Sequence, residues 1–201
     1  MILLGWPRIE GREHLRGWNG PLLVVCNHIS DVDFAFVQAA LPAQLRNRIA
    51  IATRGEALEA LHTPQSTRGF FRGIYDRTGW VLGVSLLNLF PLPREAGFRQ
   101  SFAYAGRAVD QGYSVLVFPE GRYTVDGKIS MFRAGIGLLA NNLGIPVLPM
   151  RIVGLFEVKK EGRKIARPGE IQVGIGRPMN FAAGCDPVQI AQELKNAVEA
   201  L

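Results

Sequence analysis

Five short apolar runs, each closed off by glycine, proline or charged residues, constrain what this chain can fold into more than any other feature. They are Leu22 to Cys26, Ile49 to Ala52, Ser114 to Phe118, Pro146 to Val153 and Ile171 to Ile175. Runs of this length and bounding read as buried strands of one sheet. Between them lie patterns of helical spacing, at Phe34 to Leu41, Phe98 to Asp110, Ala134 to Leu143 and Val188 to Leu201. In the last of these, Ile190, Ala191, Leu194, Val198 and Leu201 recur so as to share one helix face. Strand alternating with helix predicts an α/β layer fold, a central mostly parallel or mixed sheet flanked by helices. The length suits a single domain over residues 1–201.

Composition removes several classes. With 48% hydrophobic and 20% charged residues, the chain has the balance of a folded protein rather than of a disordered one. Its 23 Lys+Arg against 17 Asp+Glu give a formal charge of +6, which attracts anionic partners: phosphate esters, acidic lipid headgroups, an acidic carrier protein or nucleic acid. No nucleic-acid motif accompanies the charge, so nucleic acid is not expected. Cys26 and Cys185 form neither a disulfide framework nor a zinc spacing, and a reducing compartment is the default. No run approaches the ~18 apolar residues of a membrane span, and Met1 to Leu4 is too short for a signal peptide. The richest apolar run, Trp80 to Leu92, has the length of a buried core helix or an interfacial segment. It belongs to a stretch, His62 to Arg94, in which arginines alternate with Phe70, Phe71, Tyr75 and Trp80, as on a membrane-facing surface or on a core helix with solvated arginines. Lys159 to Pro168 reads as a basic, solvated turn between two strands.

Chemistry concentrates in two blocks. Asn27 to Asp33, NHISDVD, follows a buried strand directly, and strand ends are where α/β sheets build sites. His28 can take a proton near neutral pH, and Asp33 can fix its tautomer and stabilise the imidazolium. A five-residue offset does not share a face on a regular helix, so the pair requires His28 to lie in the turn before the helix. Asp31 is then placed to cap that helix. The second block, FPEGR, also leaves a strand end. Pro119 sets a turn, Glu120 can accept hydrogen bonds from hydroxyls, Gly121 lets backbone N–H groups approach an anion, and Arg122 can pair with phosphate. Taken one at a time, a structural histidine and a plain β-turn would explain both blocks.

Together they resemble the phospholipid and glycerophosphate acyltransferase family, which includes lysophosphatidate acyltransferase. Its histidine, four residues, aspartate signature falls on His28 and Asp33, and its FPEG block falls on Phe118 to Gly121. Its arginine block resembles Phe90 to Arg94, and its proline-bearing strand resembles Ile145 to Pro149. The likeness runs from about Gly11 to Gly176, with the blocks inside residues 20–153.

The resemblance implies an acyltransferase in which His28 deprotonates an acceptor hydroxyl and Asp33 supports His28. The hydroxyl oxygen then attacks the thioester of acyl-CoA or acyl carrier protein, with no acyl-enzyme, metal or cofactor. It implies that Arg94, Glu120, Gly121 and Arg122 hold the phosphate and glycerol of a lysophospholipid-type acceptor, 1-acylglycerol 3-phosphate first among them. It also implies peripheral work at an anionic membrane surface on the cytoplasmic, inner face. The chain departs from the pattern at FPEGRYT, where many members read FPEGTRS, which bears on the acceptor: glycerol 3-phosphate or a lyso-aminolipid are the alternatives. Only Met1 to Asn19 precede the first strand, where members carry apolar helices, as expected of a domain of a longer protein or a peripheral member. Two other classes compete. An esterase would need GxSxG, which Gly83-Val84-Ser85 and Gly112-Tyr113-Ser114 do not complete, and a non-catalytic lipid or phosphate-binding module would need only the charge.

Overall fold

A computed structural model describes residues 7–53, 89–91, 98–163 and 166–201. The expected segment from Phe70 to Trp80 and the expected site residue Arg94 lie outside the described residues. In chain order the elements are β1 (Arg8–Glu10), a 3-10 helix (Arg12–Leu15), β2 (Leu23–Cys26), α1 (Asp33–Ala40), α2 (Ala43–Arg46), β3 (Ile49–Thr53), β4 (Leu89–Pro91), α3 (Phe98–Asp110), β5 (Ser114–Val117), α4 (Gly135–Leu143), β6 (Val147–Val153), α5 (Leu155–Lys160), β7 (Gln172–Ile175) and α6 (Pro187–Glu199). The strands form one sheet in the order β1-β7-β6-β2-β5-β3-β4. All neighbours are parallel except β6 and β7, so the sheet is mixed and mostly parallel, as the sequence predicts.

The five apolar runs all become strands, and in the central ones, β2 and β5, every side chain is buried because both sheet faces are covered. On one face Val24, Cys26, Leu116, Leu148 and Met150 pack with Phe36, Val37 and Leu155. On the other, Leu23, Val25, Val115 and Val147 pack with Leu139, Ile190 and Leu194. β2 lies in the middle and is buried throughout. β2 and β5 are in parallel register, Val25 opposite Val117, so both deliver the chain that follows them to the same edge of the sheet.

Helix α6 begins as its sequence indicates: Asp186 accepts a hydrogen bond from the Val188 N–H, and Pro187 occupies the first turn. Its Ile190, Ala191, Leu194 and Val198 are buried, whereas Leu201 lies past the helix end and is 38% exposed. Three elements depart from the expectation. Leu89–Pro91, at the end of the run read as a core helix or interfacial segment, is an edge strand beside β3. β1 carries two charged residues in three and sits at the other edge, where one exposed row leaves no apolar run to recognise. The supposed turn from Lys159 starts inside α5, so a helix intervenes between β6 and β7.

Helices α4 and α6 approach so closely at Gly137 that a Cβ there would stand 2.1 Å from the Pro187 carbonyl oxygen. Backbone cannot yield as a flexible side chain can. Gly137→Val should therefore force the helices apart and destabilise the fold by about 1–3 kcal/mol, more than the gain of about 0.5 kcal/mol from replacing a helical glycine. A fall in the urea unfolding midpoint at unchanged slope checks this, and an unchanged midpoint would mean the contact is not tight.

Candidate functional site

The chain leaving β2 is locked by Asn27, 6% exposed, before it reaches His28. The Asn27 side chain accepts from the Ile152 N–H at 2.8 Å and donates to the Ile152 carbonyl at 2.9 Å, continuing the β2–β6 ladder with an amide in place of a backbone. His28 then lies in the turn before α1, as the spacing requires. Its Nδ1 is 2.8 Å from Oδ2 of Asp33, the first residue of α1, which is fully buried. The same oxygen accepts the N–H groups of Ile29 at 2.6 Å and Ser30 at 3.0 Å, while Oδ1 accepts the Ser30 hydroxyl at 3.3 Å. The start of a helix also favours negative charge. A carboxylate so held favours the tautomer with the proton on Nδ1, which leaves a lone pair on Nε2. Nε2 makes no hydrogen bond among the described residues, and the side chain keeps 15% exposure.

Asp31 does not cap the helix. Val32 is the cap residue, with no side-chain cap bond, and the Asp31 carboxylate instead accepts the hydroxyl of Tyr123. Its neighbour Asp33 faces His28, so the two aspartates serve different partners. Among the described residues no group of three or more His, Cys, Asp or Glu side chains could hold a metal ion.

The chain leaving β5 supplies the rest. Glu120, 3% exposed, accepts the His28 N–H on Oε1 at 2.9 Å and the Ser130 N–H on Oε2 at 2.8 Å. The second motif thus fixes the backbone of the first. Gly121 turns the chain at φ 68, and a Cβ at this position would be 2.9 Å from Nε of Arg133, so the glycine serves both the turn and the close approach of a guanidinium. Arg122 is exposed. Phe118 stacks on the imidazole at 4.3 Å between centroids and 16° between planes, and Tyr123 leans on it at 4.3 Å and 54°. Lys159 donates to the Ile29 carbonyl at 3.0 Å with its ammonium 5.3 Å from the Tyr123 ring centroid. Lys159 is solvent-exposed as expected, but from a helix that places its ammonium along the site's wall.

Of the expected residues, the fold brings His28, Asp33, Glu120 and Gly121 together, and Arg122 follows them on the exposed side of the turn. Sequence reasoning missed Asn27, Tyr123, Lys159 and Arg133, whose partners are distant in the chain. Cys26, two residues before His28, is a poor nucleophile. Burial pushes its thiol well above the ordinary range, and the nearby Asp33 and Glu120 charges push in the same direction. Among the described residues no helix is long and apolar enough to cross a membrane.

Known proteins point the same way as this geometry. A family model described as Acyltransferase matches residues 7–153. A chloroplastic 1-acyl-sn-glycerol-3-phosphate acyltransferase of Brassica napus is 26% identical over 174 residues, covering 85% of this chain and 44% of its own length. A 1-acyl-sn-glycerol-3-phosphate acyltransferase of Pseudomonas aeruginosa is 36% identical over 126 residues, 61% of this chain and 47% of the relative. The chain therefore spans under half the length of these curated relatives. In fold it is similar to the crystal structure of the 1-acyl-sn-glycerophosphate (LPA) acyltransferase PlsC from Thermotoga maritima. The TM-score is 0.66 at 22% identity, over 98% of this chain and 72% of that one.

Because Asn27 satisfies two buried backbone groups of β6, Asn27→Ala should strand the Ile152 N–H and carbonyl together and cost about 2–4 kcal/mol. Equilibrium denaturation measures it, and a loss below ~0.5 kcal/mol would mean that another group or water replaces the amide.

Proposed function

The chain belongs to the acyltransferase family, and on that premise we propose that it moves a fatty acyl group from acyl-CoA or acyl carrier protein to the hydroxyl of a lysophospholipid-type acceptor, with His28 as general base. The acceptor named first is 1-acylglycerol 3-phosphate, after the relatives that act on it. The observation that carries the reading is the histidine whose Nδ1 is held by a buried carboxylate while Nε2 makes no hydrogen bond among the described residues.

In the proposed reaction the acceptor hydroxyl gives its proton to Nε2 as its oxygen forms a bond to the thioester carbonyl carbon. Asp33 stabilises the resulting imidazolium through Nδ1–H. Collapse of the tetrahedral intermediate breaks the carbon–sulfur bond, and the imidazolium returns the proton to the departing thiolate, so the enzyme ends as it began. Direct transfer suits a site whose neighbouring thiol, Cys26, is buried and held protonated. Phe118 and Tyr123 keep the ring from turning and shield its faces from water. Arg94, Glu120, Gly121 and Arg122 are assigned to the phosphate and glycerol of the acceptor. Glu120 has a second duty, because its oxygens also hold the backbones of His28 and Ser130. No cofactor takes part. The enzyme works peripherally, at an anionic membrane surface on the cytoplasmic side.

A second acceptor, glycerol 3-phosphate or a lyso-aminolipid, is favoured by one observation: in FPEGRYT the arginine at position 122 is exposed and an aromatic at 123 faces the histidine. A panel of these acceptors with acyl-CoA and acyl carrier protein separates them.

His28→Ala should lower thioester-dependent transfer by about 100-fold or more with the fold retained, as loss of a general base does. Far-UV circular dichroism with a thiol-release assay checks both halves. Turnover at the wild-type rate in a folded variant would remove His28 from the mechanism, and a non-catalytic binding module would show no transfer in either protein.

A further inference from the structure

Two large apolar side chains beside the site face solvent. Val125 is 90% exposed and Met131 66% exposed, both in the loop between β5 and α4. Their exposure is not slack in the chain. The Thr124 hydroxyl donates to the Lys128 carbonyl at 2.9 Å and accepts the Gly127 N–H at 2.9 Å, and Asp126 accepts the Lys128 N–H at 3.0 Å. A Cβ on Gly127 would stand 2.8 Å from the Phe156 ring, so the turn is also seated against α5.

Both side chains are registered to the catalytic pair. Thr124, just before Val125, donates its N–H to the His28 carbonyl at 2.9 Å. Ser130, just before Met131, donates its N–H to Glu120, whose other oxygen holds the His28 N–H. Each exposed apolar residue thus follows directly on a residue hydrogen-bonded to His28 or Glu120, which are bonded to each other. The surrounding charge is mainly positive. Arg122, Lys128 and Arg133 are exposed on the same loop and Lys159 stands beside Tyr123, against two exposed acids, Asp126, whose carboxylate accepts the Lys128 N–H, and Asp31, which accepts the Tyr123 hydroxyl; Glu120 is buried. Rigidly displayed apolar tips ringed by cations match the boundary between anionic headgroups and acyl chains.

We propose that residues 121–133 form a membrane-contacting finger: Val125 and Met131 enter the headgroup boundary of an anionic bilayer while Arg122, Lys128 and Arg133 meet its phosphates, holding the rim of the His28 pocket at the lipid surface. The finger rests on the reading of a lipid acceptor and names the part of the protein that reaches it. An acceptor leaving the bilayer beside the finger would meet Nε2 without crossing water.

The test uses the full chain with Cys185→Ser, leaving Cys26 buried and unreactive, and an environment-sensitive fluorophore on a cysteine introduced by Val125→Cys, by Met131→Cys or, as control, by Val188→Cys. Val188 is 62% exposed on α6, outside the loop. With vesicles of phosphatidylglycerol and phosphatidylcholine in equal parts, labels at 125 and 131 should brighten, shift to the blue and be quenched by doxyl-labelled lipid. The label at 188 should stay silent, and pure phosphatidylcholine should give little response. The double variant V125D/M131D should weaken partitioning to the anionic vesicles by about tenfold or more. A silent label at 125 in protein that still floats with vesicles overturns the finger alone. Equal responses at 125 and 188, or a response to an acidic carrier protein but not to vesicles, overturn it too. Failure of the wild-type chain to float would overturn the membrane reading with it, while the thiol-release assay on dispersed acceptor judges acyl transfer separately.

Discussion

The parallel pairing of β2 with β5 is the constraint from which the site follows. With Val25 opposite Val117, the two strands leave the sheet at one level, and the residues just beyond them are neighbours without further folding. The His28 N–H meets Glu120 across that junction. Slipping either strand by one residue would exchange its two faces. It would move Val24 and Val25 into each other's cores and carry His28 away from Glu120. Both cores resist this at once, because every side chain of β2 is buried on one face or the other. Stability made in the apolar strands therefore holds a polar constellation at their ends.

Two buried carboxylates meet at that constellation and divide the work. Asp33 holds the ring of His28, and Glu120 holds its backbone. Neither is paired with a lysine or arginine among the described residues, so N–H groups must replace the water each has lost. Asp33 gathers two backbone amides, a ring nitrogen and a hydroxyl, and gains from the start of α1 as well. Glu120 gathers two amides, one from the turn after β2 and one from its own loop. Their combined field reaches Cys26, whose thiol is kept neutral between them. The same burial that gives the histidine a carboxylate partner keeps the nearby Cys26 sulfur in its unreactive thiol form, so one environment treats the two groups in opposite ways.

How much of this was legible in the sequence depended on range. Strands covered on both faces write themselves as continuous apolar runs, and the central ones were readable for that reason. β1 and β4 lie at the two edges, and α5 has barely more than one turn, so none of the three carries a pattern long enough to recognise. His28 and Asp33 were legible because a turn and the first residue of a helix bring them together locally. Glu120 was legible as a residue and not as a role, since its partners, His28 and Ser130, are chosen by tertiary structure. The bonds of Asn27 to Ile152 and of Lys159 to Ile29 cross well over a hundred residues and leave no trace in spacing. Asp31 shows the converse: it is a good capping residue by type, yet a tyrosine from the other motif claims its carboxylate.

The departure at FPEGRYT is absorbed by the same tertiary logic. With Gly121 at positive φ, the chain turns so that residue 122 is exposed and residue 123 lies against the imidazole. An arginine at 123, as in FPEGTRS, would set a guanidinium against the imidazole, whereas Tyr123 sets an aromatic ring there and donates its hydroxyl to Asp31. Positive charge is not lost from the turn by this exchange. Arg133 comes back against Gly121, the Lys159 ammonium stands 5.3 Å from the tyrosine ring centroid, and Arg122 is exposed. Charge that one motif position would carry is spread over the turn, the approach to α4 and the end of α5. The placement of positive charge at this rim therefore depends on three elements being packed together, and it belongs to the fold around the motif as much as to the motif itself.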